Sequence, residues 1–406
     1  MLQPITITCL ARFENVLAKE IELLQESLQG QVSVEKITID HQAVRFQTDN
    51  AIAFMYHANL RLRTAITVLL PITSFRANSA DELYQKIYDI NWQNYFNDQQ
   101  TFAIQSSTHS KLFTHSHFVS LKVKDAIVDQ FRDRTGRRPN VELKEPYLRL
   151  HVRIEENRVT VSRNSSGNPL FKRGYRSRRV EAPMNEVLAA GLVYLSQWLD
   201  KATPGDSKSV MPLVDPMTGG GTIAIEAAWM LLDIAPGLFR ESFGFMNWPE
   251  YDDDLFQSIR NELLDIANTN LAQNPTLPIH ASDSSPTATD KANENFANAG
   301  LEGKITLQTK PFDQLKLPVD HGMIIMNPPY GERMKKNDID NFYAMIGQTL
   351  KQNFQGFTAW IFSANEDALH NIKLARSKRM ELRNGPLDCT YQRYEVYSAD
   401  ADVSTE

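Results

Sequence analysis

The second half of this sequence alternates short apolar segments with longer helical segments, and this alternation limits the fold more than any other feature. From about residue 180 onward, segments such as 210–215, 278–282 and 323–326 have the length and composition of buried strands. Strands that are joined by helical crossovers run parallel in one sheet. We therefore predict an α/β fold with a mostly parallel sheet covered on both faces, closed by an antiparallel hairpin at the C-terminal end.

The first 165 residues show a different pattern, in which short strands of alternating polarity are separated by single helices. This pattern predicts two small α+β units in front of the α/β region. The predicted organisation is an N-terminal unit over 1–62, a second unit over 63–165, a basic linker over 166–182, an α/β domain over 183–398 with an extra segment at 236–277, and a tail over 399–406.

Composition excludes several classes of protein. The chain has 406 residues, of which 42% are apolar and 23% charged, so it is neither collagen-like nor disordered. Its two cysteines, Cys9 and Cys389, form no C-x-x-C pair, which argues against a disulfide framework and a cysteine zinc site. The histidines His109, His115 and His117 lack metal-ligand spacing, so we predict no metal. No apolar run approaches the roughly 18 residues of a membrane span, and no basic signal-peptide region opens the chain, so we predict a cytoplasmic location.

Charge is distributed unevenly along the chain. The net charge is −6, yet residues 111–180 carry 17 basic and 7 acidic side chains, whereas residues 181–406 carry 18 basic and 31 acidic ones. A local basic excess on an acidic protein indicates a surface for a polyanion such as nucleic acid, and a solvated charged face is the alternative. The candidate contacts are Lys122, Lys124, Arg137, Arg138, Lys172, Arg173, Tyr175, Arg176, Arg178 and Arg179.

A glycine-rich turn follows the apolar strand that ends near residue 215. The turn reads Asp-Pro-Met-Thr-Gly-Gly-Gly-Thr over 215–222, and a helix begins directly after it. Glycines let the backbone approach a ligand closely, and the free N–H groups of a helix start favour a carboxylate or a phosphate. The turn matches neither a G-K-[ST] phosphate loop nor a clean G-x-G-x-x-G fingerprint, so a tight turn without a ligand stays open as an alternative.

A second motif, Asn327-Pro328-Pro329-Tyr330, follows the apolar strand 323–326. Two prolines make the loop rigid, because each fixes its own φ and restricts the residue before it. The Asn327 side-chain oxygen and the Pro328 carbonyl can then accept two hydrogen bonds from one NH2 group, while Tyr330 offers a ring on which a flat base can stack. This arrangement suits methylation of an exocyclic amine, and a stiff loop around a buried tyrosine is the alternative.

These motifs resemble a known family. The segments LKVKDAIVDQFRDRTGRRPNV, GYR, APMNEVLAAGL, LVDPMTGGGTIAIEAA, APGLFRESFGFMNW, NPPYGER and NGPLDC are similar to class I S-adenosylmethionine-dependent methyltransferases that carry an N-terminal THUMP RNA-binding domain. Within that class the sequence resembles the 23S rRNA (guanine-N2) methyltransferase L family, whose members are often labelled N6-adenine-specific DNA methylases. The resemblance implies a Rossmann-like methyltransferase domain preceded by ferredoxin-like and THUMP units, and it covers nearly the whole chain.

The resemblance also implies roles for individual residues. Residues near the methionine and sugar part of the cofactor are expected to be Asp215, Pro216, Gly219, Gly221, Thr222, Asn185 and Glu186. Asp283 is expected to hold the ribose hydroxyls, and residues 327–330 the target base. Relatives often have an aspartate near the cofactor adenine, whereas Pro311 stands there in this chain. Either Phe312 stacks on the adenine or Asp313 substitutes after a shift.

The function that these expectations define is S-adenosylmethionine-dependent methylation of an exocyclic base amine in RNA, with N2 of a guanine in 23S rRNA as the target. The partner would be large-subunit rRNA or a ribosomal precursor. Methylation of adenine N6 in DNA or RNA, or of a glutamine amide in release factors, uses the same loop chemistry and is the neighbouring alternative. A non-catalytic RNA-binding or ribosome assembly factor that keeps the fold is an alternative of another class.

Overall fold

The computed structural model describes residues 2–176, 184–200, 203, 205–329 and 336–397. The described chain divides into two compact units. The first unit contains residues 2–9, 17–172 and 240–259, and the second contains the described parts of 10–16, 173–239 and 260–397. Residues 240–259 come from the extra segment that the sequence places inside the α/β domain, and their contacts assign them to the first unit. The other predicted boundaries remain predictions.

A seven-stranded sheet forms the centre of the first unit, with strand order β2-β3-β1-β4-β7-β6-β5. Its strands are β1 (Gln3–Cys9), β2 (Val34–Asp40), β3 (Ala43–Thr48), β4 (Ala65–Arg76), β5 (Phe102–His109), β6 (Leu148–Glu155) and β7 (Arg158–Asn164). The pairs are antiparallel except β5–β6, which is parallel. Because β1 pairs with β4, the strands of the two predicted N-terminal units form one continuous sheet. The hydrogen-bonding edges at which β1 and β4 meet are therefore paired and not exposed.

Helices α1 (Glu14–Ser27), α2 (Ala51–Arg61), α3 (Ala80–Tyr88) and α4 (Ser116–Thr135) accompany the strands of the N-terminal region. Ser79 caps α3 by accepting a hydrogen bond from the Glu82 amide, as its position before the apolar pattern predicts. Helix α4 ends at Gly136, whose φ of 73° is left-handed and is easily adopted only by glycine. Val119, Val123 and Ile127 of α4 recur at helical spacing and are buried, so this face forms part of the core.

The second unit contains the sheet that the alternation predicts, with strand order β10-β9-β8-β11-β12-β14-β13. Its strands are β8 (Leu213–Asp215), β9 (Ile279–Asp283), β10 (Thr306–Thr309), β11 (Gly322–Met326), β12 (Phe357–Ser363), β13 (Arg376–Asn384) and β14 (Leu387–Glu395). The five strands from β10 to β12 are parallel, and the last two form an antiparallel hairpin on the edge next to β12. The α/β prediction with a closing hairpin is therefore confirmed.

Helix α5 (Glu186–Ser196) precedes the first of these strands. Helices α6 (Thr222–Leu231), α8 (Pro286–Asn298), α9 (Lys336–Asn353) and α10 (Glu366–Leu369) lie between them in sequence, and α7 spans Asp253–Gln273. On α9, Ile339, Tyr343, Ile346 and Leu350 recur at spacings of three or four and are buried in the same apolar cluster as β11. Fully burying an apolar side chain of this size contributes about 1.5–3 kcal/mol, so this stripe fixes the helix against the sheet. No described helix is long and apolar enough to cross a membrane.

The strand order creates a switch point at the carboxyl ends of β8 and β11. From β8 the chain moves to β9 and β10 on one side of the sheet, and it then crosses back to β11 on the other side of β8. Loops on the two sides of such a point diverge and leave a crevice between them, which is where open α/β sheets bind ligands. The glycine-rich turn follows β8 and the Asn-Pro-Pro loop follows β11, so both predicted motifs reach the same edge.

Segment 240–259 is held within the first unit by polar and aromatic contacts. The Arg240 guanidinium donates hydrogen bonds of 2.8–3.0 Å to the carbonyls of Ser166, Asn168, Pro169 and Lys172. The Tyr56 ring packs against the aromatic rings of this segment, and its hydroxyl accepts a hydrogen bond of 2.9 Å from the Asp252 amide. This part of the first unit is therefore built from residues that the chain supplies far downstream.

Candidate active site

A cleft of about 730 Å³ opens at the carboxyl edge of the second sheet. The cleft is lined by the loops that follow β8, β9, β10 and β11, by side chains of α9 and by Met184. The sequence-predicted residues that line the cleft are Pro216, Gly219, Thr222, Asp283, Phe312, Asn327 and Pro329. The structure thus brings five predicted cofactor residues and two predicted catalytic residues, Asn327 and Pro329, into a single cleft.

The glycine-rich turn is fastened to the ends of β8 and β9. Thr218 donates from its hydroxyl to Asp215 Oδ2 at 2.8 Å, and the Gly219 amide donates to Asp283 Oδ2 at 3.0 Å. Gly221 has a φ of 82°, and a Cβ there would lie 2.5 Å from the Phe296 ring, so packing alone explains this glycine. Gly219 also has a positive φ, but the space beside it is open. The backbone can therefore approach a ligand at Gly219.

Asp215 is fully buried at the end of β8. Burial raises its pKa to about 7, the Thr218 hydrogen bond opposes this rise, and the nearby Asp283 charge adds to it. Its second oxygen, Oδ1, is buried and has no hydrogen-bond partner among the described residues. An unpaired buried carboxylate oxygen costs about 1–3 kcal/mol, which a ligand with a positive or hydrogen-bond-donating group can offset. Asp215 itself does not line the cleft, although Thr218, which it holds, does, and its contact with a cofactor stays a prediction.

Asp283 ends β9 and faces the same cleft. It accepts hydrogen bonds from the Gly219 and Ser285 amides at 3.0 and 2.9 Å. Ser285, not Asp283, caps helix α8, because its side chain accepts from the Ala288 amide. Each carboxylate oxygen can accept a further hydrogen bond, so Asp283 can take two donors from a ligand.

The Asn-Pro-Pro loop stands opposite the glycine-rich turn. Pro328 is buried, whereas Asn327 and Pro329 line the cleft. Asn327 Oδ1 is buried and has no hydrogen-bond partner among the described residues, so it is free to accept from a bound group. Tyr330 lies outside the described residues, and its stacking role stays a prediction.

Two predicted cofactor residues near α5 have structural tasks instead of lining the cleft. Asn185 caps α5 by accepting hydrogen bonds from the Val187 and Leu188 amides. Glu186 is buried, and its carboxylate is paired with Arg176. Burial raises the Glu186 pKa, and the Arg176 charge opposes that rise. The neighbouring Met184 lines the cleft, so this end of α5 reaches the site through a residue that the sequence did not single out.

The two residues that the sequence offers for the cofactor adenine lie in different surroundings. Pro311 and the buried Phe312 line the cleft, whereas Asp313 is exposed and does not. Phe342 and Met345 also line the cleft, and neither was predicted from the sequence. Their spacing could have indicated this position, since they lie three residues apart on α9, beside the buried stripe that includes Tyr343. Contact between Phe312 and an adenine stays a prediction.

The structure corrects the predicted nucleic-acid contacts at Arg173 and Tyr175. The Arg173 side chain is 2% exposed and pairs with the fully buried Glu226, with 3.1 Å between Nε and Oε1. Tyr175 is buried with its ring edge-on to Trp229. Neither side chain can reach RNA from these positions, so the prediction is wrong for both. The run of basic residues predicts a solvent-exposed segment. In the structure an acidic and an aromatic partner, about 50 residues later in the chain, bury these two side chains.

The other predicted nucleic-acid contacts differ in whether their charge is already paired and in how exposed their side chains are. Lys122 pairs with Asp81 at 3.2 Å, and Lys124 pairs with Asp125 at 2.7 Å. Arg176 is mostly buried and is engaged by groups of the second unit. The contacts that remain exposed are Arg137, Arg138 and Lys172. Arg178 and Arg179 lie outside the described residues.

Over the described ranges, no group of three or more His, Cys, Asp or Glu side chains is placed to hold a metal.

The cleft, its parallel sheet and the two loops define a class of α/β proteins that bind a ligand at the carboxyl edge. The chain belongs to the family described as RMKL-like, methyltransferase domain, whose model matches residues 173–393, and a THUMP domain model matches residues 77–164. The family resemblance and the Rossmann-like methyltransferase fold with a THUMP domain are therefore confirmed.

Individual relatives agree with this family. A provisionally named RNA methyltransferase, slr0064 of Synechocystis sp., is 36% identical over 94% of this chain and 95% of its own length. The ribosomal RNA large subunit methyltransferase K/L of Desulfotalea psychrophila is 34% identical over 91% of this chain, which spans 50% of that longer protein. The crystal structure of SMU.472, provisionally described as a methyltransferase and complexed with SAH, has 26% identity and a TM-score of 0.79 over 98% of both chains.

Proposed function

We propose that this methyltransferase transfers a methyl group from S-adenosylmethionine to an exocyclic base amine in RNA, and that the target is N2 of a guanine in 23S rRNA. The observation that carries the proposal is the Asn327 amide oxygen, which is buried in the same cleft as the glycine-rich turn and has no hydrogen-bond partner among the residues that the structure describes. An amine that enters this cleft meets an acceptor with no competing hydrogen bond.

The residues of the cleft fit the cofactor. When bound, S-adenosylmethionine supplies an electrophilic methyl group on a positively charged sulfur. Asp283 would hold the ribose hydroxyls, the open backbone at Gly219 would lie along the sugar and methionine portion, and the Phe312 ring would contact the adenine. Asp215, which does not line the cleft, would act through Thr218, whose hydroxyl donates to it and which does line the cleft. In the proposal these residues bind and orient, because the reactive group belongs to the cofactor.

The protein's contribution to the transfer is positioning. An exocyclic amine is a weak nucleophile, because its lone pair is delocalised into the ring. Asn327 Oδ1 and the Pro328 carbonyl would accept the two amine hydrogens and so favour the pyramidal nitrogen that develops as the methyl group is transferred. The prolines hold these two acceptors in place. The proton that the methylated amine loses can leave to solvent, so the proposal needs no covalent enzyme intermediate.

RNA as the substrate class is supported by the THUMP match, by the basic excess in residues 111–180 and by the names of the two curated relatives. The guanine target rests on the resemblance to the methyltransferase L family, since the amine chemistry also suits adenine. A base inside a helix must be unstacked to reach the cleft, at a cost of a few kcal/mol, so loops and bulges are the favoured targets. Large-subunit rRNA or a ribosomal precursor as partner, and a cytoplasmic location, belong to the same proposal.

The test is transfer of tritium from labelled S-adenosylmethionine to three acceptors: total RNA, denatured DNA and release-factor protein. Nucleoside chromatography of the labelled product identifies the base. We expect label in large-subunit rRNA that migrates as N2-methylguanosine. Label that migrates as N6-methyladenine would overturn the guanine assignment, and label in DNA or protein would overturn the substrate. If no acceptor is labelled and calorimetry detects no cofactor binding, the non-catalytic scaffold takes the place of this proposal.

A further inference from the structure

The segment Arg173–Arg176 runs along helix α6 and pairs with it at two levels. Arg173 contacts Glu226, and Arg176 contacts Thr222, one helical turn earlier. Between them, Gly174 has a φ of 107°, and a Cβ there would lie 2.1 Å from the Phe239 carbonyl oxygen. The carbonyl of Tyr175 accepts a hydrogen bond of 3.0 Å from the Asn298 side chain. The segment is therefore fixed closely against the second unit.

The two arginines differ in what they touch. Arg173 binds Glu226, which does not line the cleft. Arg176 donates through Nη2 to the Met184 carbonyl and to the Thr222 hydroxyl, the latter at 3.0 Å, while its Nε donates to Glu186. Met184 and Thr222 both line the cleft, and they come from chain segments almost 40 residues apart. Arg176 therefore ties together two parts of the cleft wall.

The direction of the Arg176–Thr222 hydrogen bond has a chemical consequence. A guanidinium donates and cannot accept, so Thr222 Oγ1 is the acceptor in this contact. The hydroxyl hydrogen of Thr222 is consequently left to donate elsewhere. Thr222 opens α6, whose first amide groups and positive dipole end favour a carboxylate. The arginine thus fixes the hydroxyl as a donor at the end of the cleft where the helix favours a negative group.

We propose that Arg176 is a positioning residue for cofactor binding, which acts by holding Met184 and orienting the Thr222 hydroxyl toward the carboxylate of the amino-acid portion of S-adenosylmethionine. This inference rests on the proposed cofactor. It assigns Arg176, which the sequence analysis placed among the RNA contacts, to binding of the cofactor instead. Arg173 is the matched control, since it is a buried arginine paired with a glutamate only three residues away.

The experiment compares Arg176→Lys, Thr222→Val, the double variant and Arg173→Lys in the full chain. Calorimetry gives the Kd for S-adenosylmethionine, and steady-state kinetics separate KM from kcat. We expect Arg176→Lys to raise Kd and the cofactor KM about tenfold, with kcat at saturating cofactor within about twofold, as for the loss of a hydrogen bond that orients a ligand. Arg173→Lys is expected to lower the melting temperature while Kd stays within about twofold.

The double variant tests whether Arg176 acts through Thr222. If it does, the loss of affinity in the double variant is no greater than in the more affected single variant, because the second change removes an interaction that is already lost. An unchanged Kd in Arg176→Lys, an equal rise in Arg173→Lys, or a double variant whose loss equals the product of the two single losses would each overturn the inference. Absence of cofactor binding by the unmodified protein would instead overturn the proposed function, so the two failures are distinguishable.

Discussion

The two sheets have seven strands each, but they place their polar residues differently. In the second unit, every residue of β8 and β11 is buried, and the one charged side chain of these two strands, Asp215, stands at the carboxyl end of β8. In the first unit, β6 alternates buried apolar residues with the partly exposed Arg149, His151, Arg153 and Glu155. A sheet covered on both faces has its chemistry at one edge, whereas a sheet with one polar face distributes polar groups over a surface. The comparison explains why polar groups gather at the strand ends in one unit, whereas in the other they lie along the strands and line a hollow of about 590 Å³ on that face.

Breaking a buried ion pair of the second unit should have the largest effect on stability. Arg173→Met leaves Glu226 buried without its partner, and we expect unfolding to become about 3–5 kcal/mol easier in urea denaturation. The comparison in the first unit is Lys124→Met, which removes a solvent-exposed pair and should cost about 0–1 kcal/mol. Similar losses for the two variants would contradict the difference in burial that separates them.

Removing the free acceptor of the cleft should have the largest effect on catalysis. We expect Asn327→Ala to lower the single-turnover methyl transfer rate by about 10²–10³-fold, the range seen when one preorganised polar group is lost. Its cofactor Kd should stay within about threefold. Asn365→Ala is the control, because Asn365 follows the next strand, β12, but only caps α10. A rate for Asn327→Ala close to that of the control would show that the amide does not assist transfer.

The buried Asp215 should make the second unit less stable as the pH rises. Its pKa is raised from 3.8 to about 7, so the folded state keeps a proton that the unfolded state loses above pH 3.8. The contribution to stability is thus present at low pH and is lost as the pH rises toward 7. Asp215→Asn removes this penalty, and we expect it to be about 1–3 kcal/mol more stable than the unmodified protein at pH 8 and little different at pH 4. Thermal denaturation across this range checks the sign.

A buried histidine should give the first unit the opposite pH dependence. Burial lowers the pKa of His57 from 6.5 to about 4, and the Arg61 charge adds to this. The folded state therefore loses stability as the pH falls from about 6.5 through 4, because the unfolded histidine binds a proton first. Between about pH 6.5 and 4, we expect His57→Gln to lose about 1–2 kcal/mol less of its free energy of unfolding than the unmodified protein does. Hydrogen exchange of the α2 amides measures this difference. A steeper loss in the variant would reverse the assignment.

The smallest effect should come from the exposed basic residues of the first unit. We expect Arg137→Ala combined with Arg138→Ala to weaken RNA binding about three- to tenfold and to reduce the slope of log affinity against log salt by about 1–2. The melting temperature should not change, because both side chains are exposed. Lys124→Met is the comparison, since Lys124 already has a carboxylate partner. An unchanged salt slope would mean that RNA lies elsewhere.

Sequence reasoning succeeded where the pattern is local. Strand β11 (Gly322–Met326) nearly coincides with the predicted 323–326, and β8 and β11 end where the two motifs begin, because buried parallel strands are rich in apolar residues. The loops could be assigned to one edge of the sheet because parallel strands end there. The choice of Phe312 over Asp313 at the cleft needed the structure, because two adjacent residues share the same local signal.

The failures all involve contacts between residues that are distant in sequence. The basic run around Arg173 looked exposed because its partner Glu226 lies 53 residues later. The pairing of β1 with β4, between residues about 60 positions apart, could not be predicted from local pattern either, and the boundary at residue 62 remains a prediction. Periodicity shows that a side chain is polar, but not whether an opposite charge will bury it.

The contribution of segment 240–259 to the first unit has a consequence for how the protein is made. A ribosome that has finished residue 172 must still synthesise 87 residues, β8 among them, before the last piece of the first unit exists. At about 5–20 residues per second this is a delay of roughly 4–17 seconds. During that time the carbonyls that receive Arg240 and the ring of Tyr56 are without their native partners. The N-terminal half of the polypeptide is thus translated first but cannot finish folding first.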